Sequence, residues 1–217
     1  MLFRSDEYKA MPTHAEVDTD TINAVLEEGG KFAAEVIFPI NISGDEEGCT
    51  LDKATHEVTT PKGFKEAFKT YVEGGWPALS CDPAYGGQGL PIVVNQCFYE
   101  MLNSANQAWT MYPGLTHGDY ECLHAHGTDA QKSMYLPKLT SGEWTGTMCL
   151  TEPHAGSDVG DCATTATPSP DGSYRIKGTK IFISGGDHDL TENIVHMVLA
   201  RIEGAQKGTK EIGRAHV

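Results

Sequence analysis

The chain has 217 residues, 39% of them hydrophobic, with 30 acidic against 16 basic side chains and a formal net charge of −14. Nucleic-acid backbones are bound by clustered Lys and Arg, so this balance excludes nucleic acid as a partner. No apolar run approaches the roughly 18 residues that a membrane-spanning helix requires, and no apolar stretch follows Met1 as a secretion signal would, which predicts a cytoplasmic protein.

In chain order, residues 18–36 place Ile22, Val25, Leu26, Phe32 and Val36 at helical spacing. Asp18 or Thr19 is available as N-cap, and Gly29-Gly30 marks a kink. Residues 39–57 read as turn-rich. Thr60-Pro61 predicts a second helix start, Thr as N-cap and Pro at the first helical position, with Phe64, Phe68, Tyr71 and Val72 on one face and a stop at Gly74-Gly75. Residues 76–89 read as a long loop, and its Gly87-Gln-Gly89 as loop glycines rather than a dinucleotide fingerprint. A third helix starts at Pro91, and two further short helices fill residues 103–126 with a break near Pro113-Gly114. Thr128 to Gln131 has the form of a capping box for a helix that ends at Ser141-Gly142.

After Gly142 the period changes. Residues 145–151, 163–167, 173–177, 180–184 and 194–201 read as strands, with Asp171-Gly172 as a tight turn. The expected fold class is therefore α+β: an all-helical domain over residues 6–142, then an antiparallel, barrel-like β domain over residues 143–210. The six cysteines form no C-x-x-C pair and read as reduced, small apolar side chains. His117, His124 and His126 have spacing that suits no common metal site, so no metal is expected.

The strongest local signal is Cys149-Leu-Thr-Glu-Pro-His-Ala-Gly-Ser-Asp-Val-Gly-Asp161. A strand ends there in a loop rich in backbone N–H groups and small hydroxyls, and Gly156 lets a flat, polar-edged ligand come close. The run resembles the signature of the acyl-CoA dehydrogenases, flavoenzymes that desaturate acyl-CoA thioesters; it departs at the last position, where Asp161 replaces a small residue. Gly127-Thr-Asp-Ala-Gln-Lys132, Tyr135-Leu-Pro, Ser141-Gly-Glu-Trp144 and Gly178-Thr-Lys-Ile-Phe-Ile-Ser184-Gly-Gly186 resemble the same family. Gly44-Asp-Glu-Glu-Gly48, Val58 to Phe64 and Gly75-Trp76 are similar to its larger bacterial branch, which includes the 3-methylmercaptopropionyl-CoA dehydrogenases.

That resemblance implies FAD as cofactor, an acyl-CoA substrate, an electron-transfer protein as acceptor, and a homo-oligomer when the protein is full length. It implies that Met148, Leu150 and Thr151 border the flavin ring and that Gly156 and Ser157 lie near the acyl-CoA. Phe182 would pack on the ring where many relatives have Trp, and Ser184 would replace a Thr that reaches the flavin. The reaction it implies is α-proton abstraction by a Glu, with the β-hydride passing to flavin. The family carries that Glu in a C-terminal helical domain, so no catalytic residue is assigned here; Glu152 is read as a structural residue that holds the loop.

The closing residues 211–217 read as a translated sequencing adapter, and residues 2–5 as the adapter of the other end. The expectation is a fragment, inactive alone and a poor binder of flavin. Two other readings stay open: an acyl-CoA oxidase on the same fold, and a non-catalytic acyl-CoA- or flavin-binding protein.

Overall fold

The computed structural model describes residues 7, 10–14, 17–205, 208 and 212–216; residues 1–6, 8–9, 15–16, 206–207, 209–211 and 217, which include all of the adapter-like residues 2–5 and the two ends of 211–217, lie outside the described residues. Helix α1 spans Thr19–Phe32 and is capped as its sequence suggests, the Asp18 carboxylate accepting from the Thr21 N–H at 2.7 Å. Gly29 does not kink it. A Cβ there would come within 2.7 Å of the Phe98 ring, so the glycine lets two helices meet closely. The backbone instead loosens into a π-helical turn at Ala33–Ile37.

Two parts of the next stretch differ from expectation. Residues 39–57 are not all turns: they hold the short helix α2 (Asn41–Glu47) and strand β1 (Thr50–Leu51), which pairs antiparallel with β2 (Val58–Thr59). Helix α3 begins at Phe64 and ends at Glu73, and its N-cap is Gly63, held at φ +91°. Thr60 does not cap it; its side chain turns to a distant partner instead. Its N–H and hydroxyl both donate to one Asp189 oxygen, at 3.0 and 2.7 Å.

The loop before the next helix folds back on itself, with Gly87 N–H on the Asp82 carbonyl and Gln88 N–H on that of Ala78, which fits loop glycines. The three predicted helices that follow are two, together labelled α4 (Ile92–His126): the chain breaks at Asn106 (φ −160°, ψ 91°), within a few residues of the boundary expected at 103, and runs on through Pro113 without the second break. Asn106 is buried and stabilises the break from both sides. Its Oδ1 accepts from the Trp109 N–H at 3.0 Å, as an N-cap would, while its amide donates to the Ile37 carbonyl at 3.2 Å. Helix α5 (Asp129–Ser141) has both bonds of the expected capping box and ends at Gly142, φ +73°. Phe32, Phe68, Tyr71, Phe98 and Trp109 form the aromatic centre of the helical layer.

The sheet follows the helices, as the fold class requires, but it is mixed rather than antiparallel. Strand β3 (Thr145–Cys149) lies parallel to β6 (Ile194–Ile202), from Thr145 opposite Ile194 to Cys149 opposite Val198. β4 (Thr165–Pro168) is also parallel to β6 but antiparallel to β5 (Tyr174–Lys177). Only the β4–β5 connection is short. The long excursion between β3 and β6 brings the chain back in its original direction, which is what parallel pairing needs. β7 (Ile212–His216), from the stretch read as adapter-like, pairs antiparallel with β6. Leu136, Leu139, Tyr120 and Leu123 from the helices pack with Val195 and Met197 of the sheet, joining the two halves through one core.

Candidate functional site

β3 delivers the candidate residues. Its free edge is covered by α4, whose Thr116 hydroxyl accepts from the Gly146 N–H at 3.1 Å. Met148 is half-buried near the strand end, and Leu150 and Thr151 step out of the sheet. The chain then closes a tight turn in which the backbones of Glu152 and Ala155 bond each other in both directions, at 2.7 and 3.2 Å. Gly156 lies against Thr151, to whose methyl a Cβ at position 156 would approach within 3.3 Å. Ser157 is exposed.

Glu152 ties this loop together. It is 4% exposed, and its Oε1 accepts from Lys180 (2.8 Å), the Cys162 thiol (3.0 Å) and the Thr164 N–H (3.0 Å); Oε2 accepts from the Ala163 N–H (2.8 Å). Burial alone would raise its pKa, but hydrogen bonds from Lys180, Thr164, Cys162 and Ala163 outweigh burial and hold it well below the usual carboxylate range. A carboxylate fixed by four donors cannot swing to take a substrate proton, so its structural reading stands. The loop's far end is held by His154 on the Asp161 carbonyl (3.1 Å) and Arg201 on the Gly160 carbonyl (2.9 Å). Asp161 is exposed, which accommodates a side chain where a small residue was expected.

The second segment, residues 180–184, is not a strand. It joins the loop through one backbone bond, Ile181 N–H to the Thr151 carbonyl at 2.9 Å, and through the Lys180 ammonium on the Leu150 carbonyl, also 2.9 Å. Phe182 then takes φ +56°, a conformation that ends an extended run. Its ring is 87% exposed. Ser184 is exposed as well, and among the described residues the hydroxyls of Thr151, Ser157 and Ser184 have no protein hydrogen-bond partner.

The structure thus brings Leu150, Thr151 and Gly156 together with the segment that carries Phe182 and Ser184. Two residues in this region had been given no role. Lys180 stands among apolar neighbours in Gly178-Thr-Lys-Ile-Phe-Ile, a mild sign of a buried partner. Asp119 of α4 packs on the β3 backbone at 2% exposure, with its Oδ2 unpaired among the described residues. Burial pushes its pKa up to about 8, with a backbone hydrogen bond from Thr147 working the other way. A concavity of about 500 Å³ at the β4–β5 turn (Thr167 to Arg175) does not touch the signature loop.

Comparison with known proteins accords with this geometry. Residues 19–143 match the family described as acyl-CoA dehydrogenase, N-terminal domain, and residues 147–215 match acyl-CoA dehydrogenase, middle domain. The chain is 46% identical over 204 residues to the 3-methylmercaptopropionyl-CoA dehydrogenase of Ruegeria pomeroyi, covering 94% of this chain and 34% of that protein. It is 40% identical over 195 residues to a butyryl-CoA dehydrogenase of Syntrophomonas wolfei, covering 89% and 32%. The butyryl-CoA dehydrogenase structure from Megasphaera elsdenii superposes with a TM-score of 0.75 at 26% identity, over 93% of this chain and 49% of that one. The chain spans about a third of the length of these curated relatives.

Proposed function

The chain belongs to the acyl-CoA dehydrogenase family, and from that membership we propose that its residues 145–186 form one wall of the FAD and acyl-CoA site of an acyl-CoA dehydrogenase. The observation that carries this reading is the bond from Ile181 N–H to the Thr151 carbonyl, because it sets an exposed aromatic ring beside a loop of unpaired hydroxyls. A flat heteroaromatic ring with a polar edge fits such a wall, with apolar contact from Phe182 and Met148 and hydrogen bonds from Thr151 and Ser184. In this reading Leu150 borders the ring with Met148 and Thr151, and Gly156 and Ser157 meet the acyl-CoA. FAD supplies the hydride acceptor when bound; the protein orients it and keeps its polar edge hydrogen-bonded.

The base that this reading requires for the α-proton is not Glu152, which is held by its four donors, but the Glu that the family resemblance implies. An electron-transfer protein as acceptor, a homo-oligomeric full-length enzyme and a cytoplasmic location belong to the same proposal. No helix among the described residues is long and apolar enough to cross a membrane.

Titration of FAD with the chain, followed by flavin fluorescence, tests the reading. Weak, saturable quenching is expected, reduced by Phe182→Ala and by Thr151→Ala. No quenching by wild type, or quenching indifferent to both substitutions, overturns it. Reduction of an artificial acceptor by the chain with butyryl-CoA would place a base within these residues and overturn the assignment of that Glu.

A further inference from the structure

Lys180 is 10% exposed on its side chain and donates to two separate parts of the signature loop, the Leu150 carbonyl at 2.9 Å and Glu152 Oε1 at 2.8 Å. Its ammonium also lies 3.6 Å from Cys162 Sγ, so three chain segments meet at one cation: 150–152, 162–164 and 178–181. The next residue, Ile181, bonds the Thr151 carbonyl. The chain then turns through positive φ at Phe182, a conformation that a non-glycine residue rarely adopts. Gly178 stands close to the Thr164 side chain, where any Cβ would collide, so the approach to Lys180 is also fixed in space.

We propose that Lys180 is a positioning residue that sets the offset between the loop at Leu150–Thr151 and the segment Phe182–Ser184. This rests on the flavin reading for its consequence, but not for its geometry. Without the cation, Glu152 keeps its backbone donors from Ala163 and Thr164, and the loop keeps its own turn. What is lost is the side-chain anchor that backs the single Ile181–Thr151 backbone bond between the loop and the second segment. The Thr151 hydroxyl, the Phe182 ring and the Ser184 hydroxyl then share no common frame. A ligand that must touch all three would have to order them on binding, and its affinity falls accordingly.

The test is amide hydrogen exchange on the ligand-free chain, paired with FAD titration, for wild type, Lys180→Met and Lys180→Arg. The expected result is at least tenfold faster exchange at the Ile181 amide in K180M, unchanged exchange in β6, and at least tenfold weaker FAD binding, with partial recovery of both in K180R. Equal acceleration in β6 and at Ile181 would mean that Lys180 merely supports the domain, and overturns the proposal. So does an unchanged Ile181 amide, or local loosening that leaves FAD affinity intact. If wild type takes up no FAD while the Ile181 amide still loosens in K180M, the positioning role stands and the flavin reading falls. Should K180M fail to fold, Lys180→Met with Glu152→Gln removes both buried charges and reads the same amide.

Discussion

The loop around Glu152 and the contact between α4 and β3 around Asp119 each bury a carboxylate almost completely, yet they do opposite things with it. Glu152 receives four hydrogen bonds, including one from a buried ammonium, and stays ionised. Asp119 faces a strand backbone at Gly146 with one oxygen unpaired, and keeps its proton up to about pH 8. Burial by itself therefore says nothing about charge. The number of donors decides, and those at Glu152 are two backbone N–H groups of the loop, one thiol and one ammonium.

The contrast can be broken in order of expected size. Glu152→Ala strips four donors of their acceptor and strands the Lys180 cation; it should cost about 3–5 kcal/mol in urea denaturation. A loss below 1 kcal/mol would mean the loop is not organised by this carboxylate. Gly146→Ala drives a Cβ to within 2.5 Å of Asp119 Oδ2, so about 1–3 kcal/mol should be lost. Combining it with Asp119→Ala should recover most of that loss, and strict additivity would sink the claimed contact.

The pH dependence separates the two acids by sign. Asp119 has a folded pKa above its unfolded value of 3.8, so its contribution is complete in acid and declines as pH rises from about 4 to about 8. Glu152 has a folded pKa below its unfolded 4.5, so its contribution is complete above that pH and is lost as pH falls below it. Wild type minus Asp119→Asn, measured by thermal melts, should slope downward between pH 5 and 8 and change by up to about 4 kcal/mol. A flat difference would show Asp119 ionised throughout. The smallest effect belongs to Cys162→Ala, about 0.5–1.5 kcal/mol, since it removes one neutral donor from Glu152 and leaves three.

What could be read from the sequence divides along the same line between local and distant partners. The Thr128–Gln131 capping box and the Asp18 cap were legible because each bond closes within three residues. Thr60 has the same capping chemistry, but its hydroxyl goes to Asp189, which no local pattern announces. The exact place of the break at Asn106 depends on the Ile37 carbonyl, and the runs that became β3, β4 and β6 read as strands without revealing that their partners run parallel. In the site, residues 149–161 stood out through their own motif. Lys180 did not, because its role lies in three contacts made across the fold. Asp119 sits in His117-Gly-Asp-Tyr-Glu121, a polar run that looks like a solvated helix face.

Thr60 and Asp189 stand 129 residues apart, and their two hydrogen bonds have a consequence for how the molecule is made. While the helical half emerges from the ribosome, the segment that leads into α3 has no acceptor for these donors. It acquires one only after the loop before β6 has been synthesised. The clasp is thus a late event, and the wall of the site, whose strand β3 waits for the same β6, is assembled after the helices rather than with them.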